Sequence, residues 1–321
     1  MFNQSEFEAA QRIVYAAMPP TPQYAWPLLR HSVGAEVWVK HENHTPTGAF
    51  KVRGGLVHMQ MRKDRGETNG VITATRGNHG QSIPFAAKRV GIAATIVCPV
   101  GNSSEKNAAM RALGAELIET GHDFDAAREA AMEIARQRHL DFIPSFGKEL
   151  VLGVSTYAHE LFRAAGELDA VYVPIGMGSG ICGTIAARDM LGLKTKVIGV
   201  VAENANCYAL SLAAGKPVAT NTGDSFADGV AVRIPNPEAL AIIVKGADHI
   251  VTVSEDEIAE AMRLYFRCCH TIAEGAGAAP LAALMQERQT MQGQRAGVIL
   301  SGGNIDMAKF AAVLEGKTPA P

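Results

Sequence analysis

The feature that most constrains the fold is a series of short apolar segments that alternate with segments of helical periodicity. Most of the apolar segments lack a polar face, so we predict strands that are buried on both sides. Strand, helix, strand in this order predicts parallel sheets with helices on both faces. The predicted strands are AEVWVK (35–40), GVITAT (70–75), AATIVCP (93–99), AELIET (115–120), AVYVPIG (170–176), KVIGVVA (196–202), HIVTVS (249–254) and AGVILSGG (296–303).

Three helices have clear sequence signals. Ser5-x-x-Glu8 has the spacing of a capping box at the start of the first helix. A second box, Ser254-x-x-Glu257, opens a predicted helix over 254–270, and helical periodicity also runs over 123–139.

Composition excludes several classes of protein. The 321 residues are enough for about two domains, and 30 Lys and Arg against 32 Asp and Glu leave a net charge of −2. No basic cluster suggests nucleic acid, and no apolar run has the length of a membrane span. The five cysteines include no C-x-x-C pair, and the N-terminus is polar and acidic, unlike a secretory signal. We therefore expect a cytoplasmic protein.

A glycine-rich turn, VPIGMGSGICGT (173–184), follows one predicted strand. Backbone N–H groups at the start of the next helix would bind an anion there. A dinucleotide fingerprint would need glycine at Ile181, and a Walker loop would need a following Gly-Lys-Ser/Thr. A site for a monophosphate fits better, although a purely structural turn stays open.

Two further turns carry polar residues after predicted strands. In ATRGNHGQS (74–82), the side chains of Thr75, Asn78, His79 and Gln81 can form hydrogen bonds, and His79 alone fits a structural role as well as a catalytic one. In VILSGGN (298–304), Ser301 precedes two glycines, and a tight turn is the simplest interpretation.

The stretch HTPTGAFKVRGG (44–55) places Lys51 among small and apolar residues. A lysine in a desolvated pocket has a lowered pKa and can form a Schiff base. Phe50 beside it could pack against a ring. Together with a phosphate site, these features indicate pyridoxal 5′-phosphate as the cofactor.

The sequence resembles the serine/threonine dehydratase and serine racemase group, which has the tryptophan synthase beta-like fold of pyridoxal-phosphate enzymes. The resemblance extends from about Tyr24 to Phe310 and rests on six motifs in order. The motifs are KHENHTPTGAFKVRGG (40–55), TRGNHGQ (75–81), PIGMGSG (174–180), FADGVAV (226–232), AEGAGAAPLAAL (273–284) and LSGGN (300–304).

This resemblance implies an α/β protein with two domains, each an open, twisted, mostly parallel sheet with flanking helices. Residues 1–55 and 149–321 would form a large cofactor-binding domain. Residues 56–148 would form a small mobile domain that carries the asparagine loop. The resemblance also implies a homodimer.

The resemblance further assigns roles at the cofactor. Lys51 would be the catalytic residue and form the Schiff base, with Phe50 beside the cofactor ring. Asn78 would bond to the ring hydroxyl, and Ser301 would contact the pyridine nitrogen. The residues implied to hold the phosphate are Gly176, Met177, Gly178, Ser179 and Gly180.

Other residues receive less specific roles from the resemblance. Gly229 and Glu274 are implied only to lie near the cofactor. The α-carboxylate of the substrate would bind at the turn formed by Thr75, Arg76, Gly77, Asn78 and His79.

The expected reaction is dehydration and deamination of a β-hydroxy amino acid, of the L-threonine or L-serine type, to a 2-oxo acid and ammonia. Racemases of the group carry serine where this chain has Arg76, so a serine racemase-like enzyme is the less favoured alternative. Arg76 could bind the distal carboxylate of 3-hydroxyaspartate, because arginine suits carboxylates. It could equally turn outward or pair with a protein carboxylate.

Several other properties are expected to be absent. The metal site of the racemases uses a glutamate and an aspartate, but here Glu203 is displaced and Asn206 replaces the aspartate, so we predict no metal. Few residues follow SGGN, so we expect no feedback-regulatory domain. A nucleotide-dependent oxidoreductase would leave Lys51 and Ser301 unexplained, whereas a non-catalytic cofactor-binding protein would show no turnover.

Overall fold

The computed structural model describes residues 2–320 and contains ten β-strands in that range. Their lengths run from two to seven residues. In chain order they are β1 (Gln23–Ala25), β2 (Glu36–His41), β3 (Val71–Ala74), β4 (Ala94–Cys98), β5 (Glu116–Glu119), β6 (Asp141–Phe142), β7 (Ala170–Pro174), β8 (Lys196–Ala202), β9 (His249–Val253) and β10 (Arg295–Leu300).

The strands form two sheets. The six-stranded sheet has the order β1-β2-β10-β7-β8-β9, and only its edge strand β1 is antiparallel to its neighbour. The four-stranded sheet has the order β5-β4-β3-β6 and is entirely parallel. These two mostly parallel sheets with flanking helices confirm the predicted fold class.

Helices connect the strands, and none within residues 2–320 is long and apolar enough to cross a membrane. The α-helices are α1 (Gln4–Tyr15), α2 (Pro27–Val33), α3 (Lys51–Asp64), α4 (Asn78–Val90), α5 (Ser104–Ala112), α6 (Phe124–Arg138), α7 (Lys148–Ala165), α8 (Ser179–Met190), α9 (Cys207–Ala214), α10 (Pro237–Gly246), α11 (Glu255–Cys269), α12 (Gly275–Gln286) and α13 (Met307–Leu314).

All eight predicted strands are present, with ends that differ by no more than three residues from the prediction. The predictions at 123–139 and 254–270 are confirmed as α6 and α11, and Ser254 with Glu257 forms the predicted capping box. The sequence did not predict β1 or β6, because segments of three and two residues are too short to establish an alternating pattern.

The predicted capping box at Ser5 and Glu8 is wrong. Asn3 is the N-cap: its Oδ1 accepts from the Glu6 backbone N–H at 2.9 Å, and Glu6 Oε2 accepts from the Asn3 N–H at 2.8 Å. Ser5 lies inside α1. The two pairs have the same spacing, and asparagine caps a helix as well as serine does. The sequence pattern alone therefore did not determine where the helix begins.

Apolar residues cover both faces of each sheet. Two clusters flank the six-stranded sheet and two flank the four-stranded sheet. Phe7 and Val14 of α1 pack in a cluster with Val71 of β3 and with residues of α3 and α4. The predicted domain boundaries stay a prediction.

Candidate active site

The loop that precedes Lys51 lies beside the end of β10. Ala49 forms an isolated antiparallel bridge with Gly302, and the Phe50 N–H donates to the Ser301 carbonyl at 2.9 Å. Lys51 is the first residue of α3, and Ser301 is buried directly after β10. These contacts bring the lysine motif and the SGGN motif together at the carboxyl edge of a parallel sheet, where ligands of such folds bind.

The Lys51 amine lies in a desolvated position. Its Nζ donates to Ser179 Oγ at 3.1 Å and lies 5.1 Å from the centroid of the Phe50 ring. No carboxylate of the described chain forms an ion pair with it. Burial lowers the pKa of Lys51 to about 8, so far more of the amine is neutral near physiological pH than in an exposed lysine.

The glycine turn between β7 and α8 brings backbone close to backbone. Gly178 has φ of +97°, which favours glycine, and a Cβ on Gly176 would lie 2.1 Å from the Gly229 carbonyl oxygen. Ser179 begins α8, so backbone N–H groups of its first turn face the position beside the Lys51 amine. The turn therefore has the backbone donors and the helix dipole that bind a phosphate.

Two tyrosines that the sequence did not point to hold this turn in place. Tyr157 Oη donates to the Gly180 carbonyl at 2.9 Å, and its ring packs edge-on against Phe50. Tyr208 Oη donates to the Met177 carbonyl at 3.2 Å. Both residues lie more than 20 positions away in sequence, and no motif links them to the turn.

The asparagine turn connects β3 to α4. Thr75 Oγ1 accepts from the Gly77 N–H at 3.1 Å, and α4 begins at Asn78. Arg76 is exposed and forms no ion pair with a carboxylate of the described residues. Of the alternatives left open for Arg76, pairing with a protein carboxylate is therefore not observed among the described residues. The outward orientation is observed.

The side chain of His79 points into the interior. It is 5% exposed, and its Nε2 is buried without a hydrogen-bond partner among the described residues. Burial, and then the nearby Lys51 and His58, lower the pKa of His79 to about 3. The His79 ring is therefore neutral at physiological pH.

A chain of hydrogen bonds joins the asparagine turn to the SGGN and AEGAGAAP motifs. Asn304 Nδ2 donates to the Thr47 carbonyl and to Asn78 Oδ1, both at 2.8 Å. Asn78 Nδ2 then donates to Glu274 Oε1 at 2.7 Å. The predicted residues Asn78 and Glu274 are thus in direct contact.

Glu274 lines a small cavity together with Gly229, Lys106 and Asp228. Glu274 is 8% exposed, and burial raises its pKa to about 7, while Lys106 and the Asn78 hydrogen bond act in the opposite direction. Lys106 Nζ donates to Asp228 Oδ2 at 2.5 Å. Sequence reasoning did not select Lys106, although Asp228 lies within the FADGVAV motif.

The predicted residues form two adjoining groups. One contains Lys51, Phe50 and the glycine turn, and the other contains Asn78, Glu274 and Gly229. The contact of Gly176 with Gly229 joins them on one side, and residues 47–50 join them on the other. Among residues 2–320, no three His, Cys, Asp or Glu side chains form a group that could hold a metal ion.

This arrangement fits the predicted cofactor. An amine with a lowered pKa lies within hydrogen-bonding distance of the first residue of a helix whose preceding turn requires glycine at positions 176 and 178. An aldehyde needs the former and a phosphate needs the latter.

Comparisons with known proteins point the same way. The family model described as "Pyridoxal-phosphate dependent enzyme" matches residues 14–302. The chain is 31% identical over 302 residues to L-threo-3-hydroxyaspartate ammonia-lyase of Saccharomyces cerevisiae, which covers 94% of this chain and 93% of that protein. It is 34% identical over 305 residues to the biosynthetic L-threonine dehydratase of Salmonella typhimurium, which covers 94% of this chain.

The chain spans only 59% of the length of the Salmonella protein. Among solved structures, the processed form of threonine deaminase isoform 2 from Solanum lycopersicum is similar, with a TM-score of 0.88 and 30% identity. This match covers 98% of the chain and 94% of the tomato protein.

Proposed function

The chain belongs to the family of pyridoxal-phosphate-dependent enzymes, and from that premise we propose that it converts a β-hydroxy amino acid to a 2-oxo acid and ammonia. L-threonine or L-serine is the proposed substrate class. The observation that carries the proposal is the Lys51 amine, desolvated and 3.1 Å from Ser179 at the start of α8. Relatives that are named as dehydratases and ammonia-lyases support the reaction type.

The roles of the cofactor-binding residues follow from their chemistry. Lys51 would hold the aldehyde group, and the turn from Gly176 to Gly180 would hold the phosphate. Phe50 lies beside the amine and would form one wall of the site for the cofactor ring. When bound, the cofactor supplies an electron sink for the negative charge that develops at the substrate Cα.

The residues of the chain would then move the protons. The Lys51 amine, with its lowered pKa, can accept the α-proton as a general base. The backbone N–H groups at the start of α4 would bind and orient the α-carboxylate. The β-hydroxyl leaves as water when it receives a proton, which the Lys51 ammonium formed by removal of the α-proton would supply.

The first test is release of 2-oxo acid from L-threonine and L-serine by the loaded enzyme. K51A should lower kcat by at least about a thousandfold, since both the anchoring amine and the general base are lost. K63A changes an exposed lysine of the same helix and should retain activity. Full activity in K51A contradicts the proposal, and absence of 2-oxo acid from any hydroxy-amino acid would favour a non-catalytic cofactor-binding protein.

A second candidate substrate is 3-hydroxyaspartate. Relatives named L-threo-3-hydroxyaspartate ammonia-lyase are the observation that favours it. Arg76, which is exposed and has no carboxylate partner among the described residues, would turn inward to bind the distal carboxylate. R76A should raise KM for 3-hydroxyaspartate by about tenfold or more, the usual cost of a lost charged hydrogen bond, and leave KM for serine unchanged. R128A, at another exposed arginine, is the control. An unchanged substrate preference in R76A would remove this candidate.

The homodimer and the cytoplasmic location belong to this proposal as well: the homodimer rests on family resemblance, and the location rests on five cysteines that form no disulfide in the described chain. The serine racemase-like alternative is less favoured because Arg76 replaces the serine of the racemases. Light scattering and a chiral assay of serine would test the dimer and the racemase activity.

A further inference from the structure

The hydrogen bonds around Asn78 determine which oxygen of Glu274 can carry a proton. The Thr47 carbonyl can only accept, so the atom of Asn304 that contacts it must be its nitrogen. That nitrogen also donates to Asn78 Oδ1, which leaves Asn78 Nδ2 to donate to Glu274 Oε1. Oε1 is thus an acceptor, and a proton on Glu274 must reside on Oε2.

Oε2 of Glu274 forms no hydrogen bond with any residue of the described chain. The carboxyl group is more than nine-tenths buried and lines the cavity beside the first turn of α4. Oε2 itself is not fully buried: it opens onto the cavity, where a ligand or water can complete its hydrogen bonding.

Burial in this cavity, rather than the charges around it, favours the neutral form of Glu274. The titratable groups that line the same cavity are Lys106, Asp228, Asp306 and Lys309. Lys106 is paired with Asp228, which compensates its charge in part. Asp306 accepts from Ser103 at 2.5 Å, and Lys309 adds one positive charge. With these groups balanced, an ionised Glu274 would leave one uncompensated negative charge in the cavity.

We infer that Glu274 takes up a proton when a carboxylate binds at the Thr75–His79 turn, and that its Oε2–H donates a hydrogen bond to that ligand. The inference rests on the proposed function, which places the substrate α-carboxylate at this turn. An ionised Glu274 would repel the incoming carboxylate, whereas the protonated form offers a donor. The raised pKa of Glu274, about 7, is consistent with easy proton uptake.

The proton balance is simple. Each bound carboxylate takes one proton from solution, which adds to Glu274 Oε2 and returns to solution when the ligand leaves. Above the pKa of Glu274, the affinity for a carboxylate should therefore fall by up to about tenfold per pH unit.

The test uses the loaded enzyme and propionate, a carboxylate without an amine or a β-hydroxyl. Calorimetric titrations in phosphate and in Tris, whose ionisation enthalpies differ, give the number of protons taken up on binding. At pH 8 the native protein should take up close to one proton, and its Kd should rise with pH. E274Q, which keeps an acceptor and a donor, should show neither effect.

D306N is the matched control, because Asp306 lines the same cavity but bonds to Ser103. It should retain the proton uptake. Proton uptake that persists in E274Q overturns the inference. Binding of propionate to the native protein without proton uptake also overturns it. Failure to bind propionate in an enzyme that releases 2-oxo acid also overturns it and leaves the proposed function intact.

If E274Q does not fold, carboxyl-carbon NMR of the native protein supplies the second measurement. One glutamate resonance should titrate near pH 7, and propionate should shift its midpoint upward. A midpoint that does not move when propionate is bound overturns the inference.

Discussion

At the scale of single residues, a buried ionic cluster fixes the position of the lysine helix. The Arg53 side chain is fully buried, with Nε 2.7 Å from Glu42 Oε2 and Nη1 2.6 Å from Glu160 Oε1. Lys40 Nζ lies 2.5 Å from Glu160 Oε2. Burial lowers the pKa of Lys40. Because Arg53 follows Lys51 by two residues, the cluster ties the start of α3 to β2 and α7.

Replacing Arg53 by methionine should reduce the free energy of unfolding by about 3–5 kcal/mol, since it leaves two buried carboxylates with Lys40 as their one cationic partner in the cluster. Urea unfolding followed by circular dichroism measures the change. R136M removes an arginine that is 75% exposed and paired with Glu133, and should change stability by less than about 1 kcal/mol. Equal stability of the two variants would show that the cluster does not hold the helix.

At the scale of elements, the turn before α8 is the part of the site where backbone geometry is most demanding. Gly178 has φ of +97°, and a Cβ there would lie 2.6 Å from Ala239 Cβ in α10. Gly215, at the end of α9, has φ of +64° but open space around it. The two positions therefore share a left-handed conformation and differ in crowding.

G178A should weaken binding of pyridoxal 5′-phosphate to the apo-protein by about tenfold or more, because the clash shifts the backbone donors of the turn. G215A carries only the conformational cost of about 1 kcal/mol and should bind the cofactor normally. Equilibrium titration of the cofactor compares them. Equal affinities in G178A and G215A would mean that this turn does not hold the phosphate.

The strands and helices differ in how well the sequence predicted them. Strands such as β8 are apolar after their first residue, and a parallel strand buried on both faces requires that composition, so their continuous apolar runs identified them. β1 is an exposed antiparallel edge of three residues, and its pairing with β2 is a tertiary contact that leaves little trace in the chain. The start of α1 was misplaced because Asn3 and Ser5 offer equivalent caps.

At the scale of the whole molecule, the candidate site lies between the two sheets. Asn78 and Lys106 belong to helices next to the four-stranded sheet, whereas Glu274 and Asp228 precede or lie near α12 beside the six-stranded sheet. Their bonds join residues more than 120 positions apart. The motifs predicted most residues of the site, but not Lys106, Tyr157 or Tyr208, whose positions depend on how distant elements pack.

The location of Lys51 between these sheets gives the account its most direct test. Only the neutral amine attacks an aldehyde, so the rate of cofactor loading should rise as pH increases through about 8, the lowered pKa of Lys51.

The most direct measurement locates the Schiff base itself: borohydride reduction of the loaded protein, followed by peptide mapping. We expect a violet-region absorption band that borohydride abolishes, with the label on Lys51. No such band, or a label on another lysine, would contradict it.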